Sequence, residues 1–179
     1  MTRTTTYRSV GSRLMTTAFL TLAVLMFVTS TASAHHLEKY SNERRHIRRR
    51  AHNVLGAPYR SGGTSPSGFD CSGFTRWAFL EHGANLPHSA QSQFDMAQQF
   101  GVVRIWKRSK LKVGDLVFHK TTSAQVGHAG IYIGHGRFIS STSSGGVQIN
   151  SLYDPYYWGS RWVGATRLPA TMEYKRRDA

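Results

Sequence analysis

The hydrophobic period of this chain changes once, near residue 101, and that change limits the fold more than any other feature. Before it, apolar residues recur at helical spacing; after it, short β-type runs alternate with Gly/Ser/Thr turns. Residues 37–55 read as a helix: Leu37, Tyr40, Ile47, Ala51 and Val54 fall three, four or seven apart, with Arg44, Arg45, Arg48, Arg49 and Arg50 on the remaining faces. Gly56 ends it, and residues 57–68, rich in Gly, Ser and Pro, form a loop. A second helix begins near Asp70 or Cys71, with Phe74, Trp77, Ala78 and Leu80 as its buried stripe and Gly83 where a C-terminal cap belongs. A third runs from about Ser89, a candidate N-cap, to Phe100. Strands are expected at Leu116–Phe118, His128–Ile133, Arg137–Ser140, Val147–Ser151 and Trp162–Leu168. Helices first and strands afterwards predict an α+β domain with a mostly antiparallel sheet of five to six strands.

The N-terminus carries its own signal. Met1–Ala34 contains Arg3, Arg8 and Arg13 and no acid, then an apolar run from about Leu14 to Val28, then the small-x-small end Ala32-Ser33-Ala34. This is the pattern of a cleaved secretory leader, and its apolar run of about 15 residues falls short of the roughly 20 that span hydrocarbon. With no cysteine directly following the cut, no lipid or other stable membrane anchor is expected. Cleavage would remove three positive charges and no negative ones, leaving 145 residues at +11 from a full chain at +14. Such an excess suits polyanionic surroundings, whether nucleic acid, anionic membrane or an acidic polymer outside the cell, and charge alone does not choose among them. The basic residues are scattered without a stacking-aromatic motif, so nucleic acid is not expected. The arginines of residues 44–50 read more simply as a solvated helix face than as a grip. The tail from residue 169 reads as disordered and basic, and a monomer is assumed.

The single cysteine, Cys71, excludes an internal disulfide and any multi-cysteine metal site. The histidines contain no HExxH, so neither a metal nor another cofactor is expected. Cys71 lies between a glycine-rich loop and an apolar helix, so it falls in that helix's first turn. Free N–H groups and the positive dipole end there favour a thiolate, reactive toward iodoacetamide below pH 8, and the same N–H groups can hold an oxyanion. His128, opening the run His128-Ala129-Gly130-Ile131-Tyr132-Ile133-Gly134, is the best-placed base, with Gly127 and Gly130 letting another element come close. By placement alone Cys71 is either a nucleophile or a small buried hydrophobe.

Five segments sharpen this. Residues 56–63 (GAPYRSGG), 68–74 (GFDCSGF), 86–89 (LPHS), 113–118 (VGDLVF) and 127–134 (GHAGIYIG) together resemble the NlpC family of bacterial cell-wall endopeptidases, over about residues 47–168. The DCSGF and HxGIYIG blocks, in this order, are the specific part. The resemblance implies a domain at 47–168, preceded by a basic helix start at 35–46, with a papain-like fold. It implies hydrolysis of the peptide stem of peptidoglycan between γ-D-glutamyl and diaminopimelate or lysine. Carried over residue by residue, Cys71 is the nucleophile and His128 its base. Tyr59 stands beside the nucleophile to hold substrate or oxyanion, and Asp70 and Ser72 recognise the polar end of the stem. One position departs from the pattern. Where the family usually places His, sometimes Asn, Gln or an acid, to orient the base, this chain has Ser140. Either Ser140 does that work, or His119 or Asn150 reaches in, or the chain is slow or inactive. Two rivals follow: a wall-binding module without chemistry, and another papain-like amidase or acyltransferase.

Overall fold

The protein is described from a computed structural model covering residues 38, 41–98, 102–121, 123 and 126–169. The leader at 1–34 and residues 170–179 of the tail lie outside the described residues. Residues Ser41–Ala179 form one compact unit; of the preceding unit, Met1–Tyr40, only Glu38 is described, and it is helical. No described helix is long and apolar enough to cross a membrane.

Helix α1 (41–52) buries Ile47 and Ala51 at the expected spacing and exposes Arg45, Arg48 and Arg49. Arg44 departs from the solvated face. It turns inward to Asp115, which is fully buried and also receives Arg167, the closest approaches being 3.0 and 2.7 Å. A buried carboxylate with two guanidinium partners offsets their desolvation, and this ion triad ties α1 to the sheet. A small hairpin, β1 (Thr64–Ser65) and β2 (Gly68–Phe69), occupies the expected loop.

Helix α2 (Cys71–Leu80) is capped by Asp70, whose side chain accepts from the Gly73 N–H. Its inner face is Phe74, Thr75, Ala78 and Phe79; Leu80, expected inside, is 52% exposed. Phe79, at i+4 from Thr75 and i+5 from Phe74, takes the inward place, because α2 turns one position further than the expected stripe. Trp77 is half-buried beneath Arg50, whose guanidinium lies 3.8 Å from the ring centre. The third helix α3 (Ala90–Asp95) starts at the expected cap Ser89 but is shorter, passing into a 3-10 turn at Met96–Gln98.

The sheet has six strands, all antiparallel, in the order β3-β8-β4-β5-β6-β7. These are β3 (Val103–Ile105), β4 (Leu116–His119), β5 (His128–Gly134), β6 (Arg137–Thr142), β7 (Gly146–Ser151) and β8 (Trp162–Arg167). One face, with Phe118, Ala129, Ile131 and Ile139, packs on α1 and α2; the other carries Val117, Phe138 and Ala165 under Trp158 and Trp162. The five expected strands are present, and β3 is added on the β8 edge. The helices and antiparallel sheet form the α+β architecture of papain-like domains.

Candidate active site

Cys71 is held by what precedes it. Phe69 is fully buried against Phe74 and Trp77, with ring centres 5.8 and 5.3 Å away. Its carbonyl accepts from the Arg60 N–H at 3.0 Å and from the Ser141 hydroxyl on β6 at 2.7 Å, so the chain entering α2 is fastened to the sheet. The cysteine is half-buried at the first position of α2. The backbone N–H groups of Ala129 on β5, of Ser72 and of Cys71 itself favour its charged form. Burial nonetheless pushes the Cys71 thiol above its ordinary pKa, with the Asp70 carboxylate adding to the rise against those N–H groups. The thiolate expected from helix position alone is overruled by desolvation.

His128 opens β5 and lines the same cleft of about 580 Å³ as Cys71, together with Tyr59, Ser141, Tyr157 and Trp158. Burial lowers its pKa to about 4. At neutral pH the resting site is therefore a thiol beside a neutral imidazole. The Nε2 atom of His128 is buried without a partner, which leaves Nδ1 as the nitrogen available to the cleft. Trp158 lies against the ring with centres 4.8 Å apart. It is held there by Asp154, whose carboxylate accepts from the N–H groups of Tyr156, Tyr157 and Trp158 at 3.0–3.2 Å. Sequence reasoning missed Trp158; the Asp154-Pro155 turn followed by three aromatics is the signal that marks it.

The surroundings of His128 Nε2 bear on the departure noted at residue 140. Ser140 on β6 lies opposite Gly130, where an added Cβ would come 3.1 Å from the Ser140 Cβ, so glycine does admit this strand closely. Ser140 is fully buried, but its hydroxyl makes no hydrogen bond to His128 and instead accepts from Asn150 Nδ2 at 3.5 Å. Asn150 is thereby turned to Ser140 and not to the base. His119 on β4 pairs directly with His128, with ring centres 6.4 Å apart. It is fully buried, stacked on Phe138 at 4.9 Å, and both its nitrogens lack partners. Burial first, then His128 and Arg108, lower its pKa to about 3.

The remaining expected residues divide. Tyr59 reaches the cleft, and its phenol is pushed above its usual pKa by burial first and then by its neighbours Cys71 and Asp70, so it remains a hydrogen-bond donor in the cleft. Asp70 and Ser72 do not line the cleft. Asp70 accepts from Gly73 N at 2.6 Å, Ser72 Oγ at 3.0 Å, Gly62 N at 3.0 Å and His88 Nε2 at 2.8 Å, which uses its acceptor positions on the fold. Ser72 is 5% exposed and donates its hydroxyl to that cap. Both build the platform on which Cys71 stands. Among the described residues no group of three His, Cys, Asp or Glu could hold a metal.

The chain is similar to known proteins in sequence and in fold. The chain is 40% identical over 114 residues to murein DD-endopeptidase MepS/murein LD-carboxypeptidase of Escherichia coli (strain K12), covering 63% of this chain and 56% of that one. It is 37% identical over 117 residues to peptidoglycan DL-endopeptidase CwlO of Bacillus licheniformis, covering 62% and 25%. The chain thus spans about half the length of the first relative and a quarter of the second. Among solved structures, an NlpC/P60 family protein from Bacillus cereus superposes with a TM-score of 0.62 at 31% identity, over 70% of this chain and 40% of that one. The NlpC/p60 domain of the peptidoglycan hydrolase SagA gives 0.58 at 28% identity, over 70% and 98%. The NlpC/P60 family profile matches residues 56–167, and with the whole cleft inside that span the chain belongs to the NlpC/P60 family.

Proposed function

We propose that this protein is a cysteine endopeptidase that hydrolyses the peptide stem of peptidoglycan, at the bond between γ-D-glutamyl and diaminopimelate or lysine. The observation that carries this reading is one cleft lined by a half-buried helix-terminal Cys71, a neutral His128 and a protonated Tyr59. His128 Nδ1 takes the Cys71 proton as the sulfur attacks the scissile carbonyl, so thiolate is made during attack and not stored beforehand. Backbone N–H groups at the start of α2 hold the oxyanion, with Tyr59 donating a further hydrogen bond. The proton on His128 passes to the leaving amine, and the C–N bond breaks to a thioester. Water then gives a proton to His128 and adds to the thioester, releasing the carboxylic acid and restoring the thiol.

A neutral resting pair suits this order of events. A buried thiolate beside Asp70 would be costly, whereas a thiol and an imidazole pay little desolvation until the substrate carbonyl accepts the charge. Ser140 and His119 share the sheet face of His128, and we assign its orientation to that pair, Ser140 through a water. Residues 1–34 are taken as an export leader, placing a monomeric enzyme outside the cytoplasmic membrane among anionic wall polymers.

A second reading concerns the bond. Murein DD-endopeptidase MepS and murein DD-endopeptidase MepH of Escherichia coli are 40% and 39% identical to this chain, which favours a D,D cross-link as the alternative target. One experiment tests both. Purified peptidoglycan is incubated with the protein and with Cys71→Ser, and products are identified by mass. New amino termini at diaminopimelate or lysine from the wild type alone support the stem assignment. Loss of cross-linked dimers supports the second reading. Equal products from both proteins, or none from either, defeat the hydrolase reading and leave a wall-binding module.

A further inference from the structure

A second concavity, of about 820 Å³, lies between α1 and the β5–β6 hairpin and shares no residue with the Cys71 cleft. One wall is a row on α1: Arg45, Arg48, Arg49 and His52 occupy positions i, i+3, i+4 and i+7, which places all four on one helix face. The opposite wall is Arg137 with His135, the latter in the left-handed backbone region at φ 53°. The floor is apolar, from Ile133 and Ile149. No carboxylate lines the groove, and none of the four arginines has an ion-pair partner among the described residues. The acids that do form ion pairs face elsewhere: Asp115 holds Arg44 and Arg167, Asp70 holds His88, and Glu81 holds Arg50. Burial first, and then Arg48 and Arg137 together, hold the His52 pKa below its ordinary value, so guanidiniums from both walls act on one point.

We infer that this groove binds a linear phosphodiester polymer of the cell envelope. A single small anion would need one fork of donors, whereas here Arg45 stands about 5–6 Å from Arg48 and Arg49 along α1, the spacing of helix neighbours, with Arg137 on the other wall. That repetition matches a chain of regularly spaced charges, and guanidinium groups pair with phosphate oxygens two at a time. The apolar floor suits the carbon skeleton between phosphates. Along β5, His128 opens the strand and lines the cleft, while Ile133, on the groove floor, stands about 17 Å further along it. A polymer seated there leaves the cleft open and keeps the enzyme on the wall between cuts.

The test is binding, and it stands whether or not Cys71 proves catalytic. Labelled poly(glycerol phosphate) is titrated by fluorescence anisotropy at physiological salt. The groove variant Arg45→Gln/Arg48→Gln/Arg49→Gln/Arg137→Gln should bind roughly tenfold or more weakly. The control Arg76→Gln/Lys107→Gln/Lys110→Gln/Lys112→Gln removes the same charge elsewhere and should lose less than about threefold. Should the fourfold variant melt early, Arg48→Gln/Arg137→Gln removes one fork from each wall and should lose roughly threefold. Equal losses in variant and control would show diffuse attraction only and overturn the groove. No binding by the wild type, or tighter binding of poly-glutamate than of the phosphodiester, would also overturn it.

Discussion

Replacing Asp70 by Asn should move stability and thiol acidity in opposite directions, because that carboxylate both builds the start of α2 and stands beside the sulfur. Asparagine can keep the acceptor that meets Gly73 N at 2.6 Å and Ser72 Oγ at 3.0 Å, and it caps helices about as well as aspartate. Its amide nitrogen then falls where Oδ2 accepts from Gly62 N at 3.0 Å, setting donor against donor, and the contact to His88 loses its charge. One lost hydrogen bond on an exposed loop, with its donor still facing a donor, costs about 1–2 kcal/mol. For a domain of this size each kcal/mol is about 3–6 °C, so the melting temperature should fall by roughly 5–10 °C. The Asp70 charge raises the Cys71 pKa, so its removal lowers it, and alkylation by iodoacetamide should start at lower pH than in the wild type. Calorimetry and a pH series of alkylation rates read the two effects separately. An unchanged melting temperature, or an alkylation profile shifted to higher pH, would refute the roles given to Asp70.

Three further changes probe other parts of the account. His119 and His128 have folded pKa values of about 3 and about 4 against 6.5 for a free imidazole, so the unfolded chain binds the extra protons as pH falls. Their contribution is intact above pH 6.5 and is lost on acidification, at about 3 kcal/mol each by pH 4. His119→Phe keeps the stack on Phe138 and should therefore melt higher than the wild type at pH 4–5, while a fall in kcat with little change in KM would mark its help to His128; acid melting no different from the wild type would contradict its burial as neutral imidazole. Asp115→Ala leaves two largely buried guanidiniums without their shared carboxylate and should cost about 3–5 kcal/mol in urea unfolding. Tyr59→Phe removes the phenol donor, and kcat should drop by about tenfold or more on a soluble stem peptide, with the alkylation profile of Cys71 nearly unmoved.

The places of Cys71 and His128 were legible locally, one after a glycine-rich loop and before an apolar helix, the other opening a strand next to glycine, and the structure brings both to one cleft. The five longer strands announced themselves by β-rich runs between turns, and Ser89 by its place before α3. What stayed hidden depended on distant partners. Arg44 reads as a surface residue until Asp115, 71 positions later, is seen to receive it. Leu80 and Phe79 exchange places because a short stripe does not define which turn of α2 faces the sheet. The hairpin β1–β2 has two residues per strand and β3 has three, too few for a period to register. Trp158 reaches His128 from a loop, and loops carry no periodic signal. The acidity of Cys71 was misjudged because a helix terminus is a local feature, whereas desolvation is set by everything packed around the sulfur.

The central claim is that Cys71 becomes acylated with His128 as its proton carrier. Intact-mass measurement of protein quenched in acid during turnover of a soluble stem peptide tests it directly. A transient adduct equal to the amine-free portion of the substrate, located on Cys71 and missing in His128→Ala, is the expected result. Turnover that continues in Cys71→Ser, with no adduct on the wild-type sulfur, would contradict it.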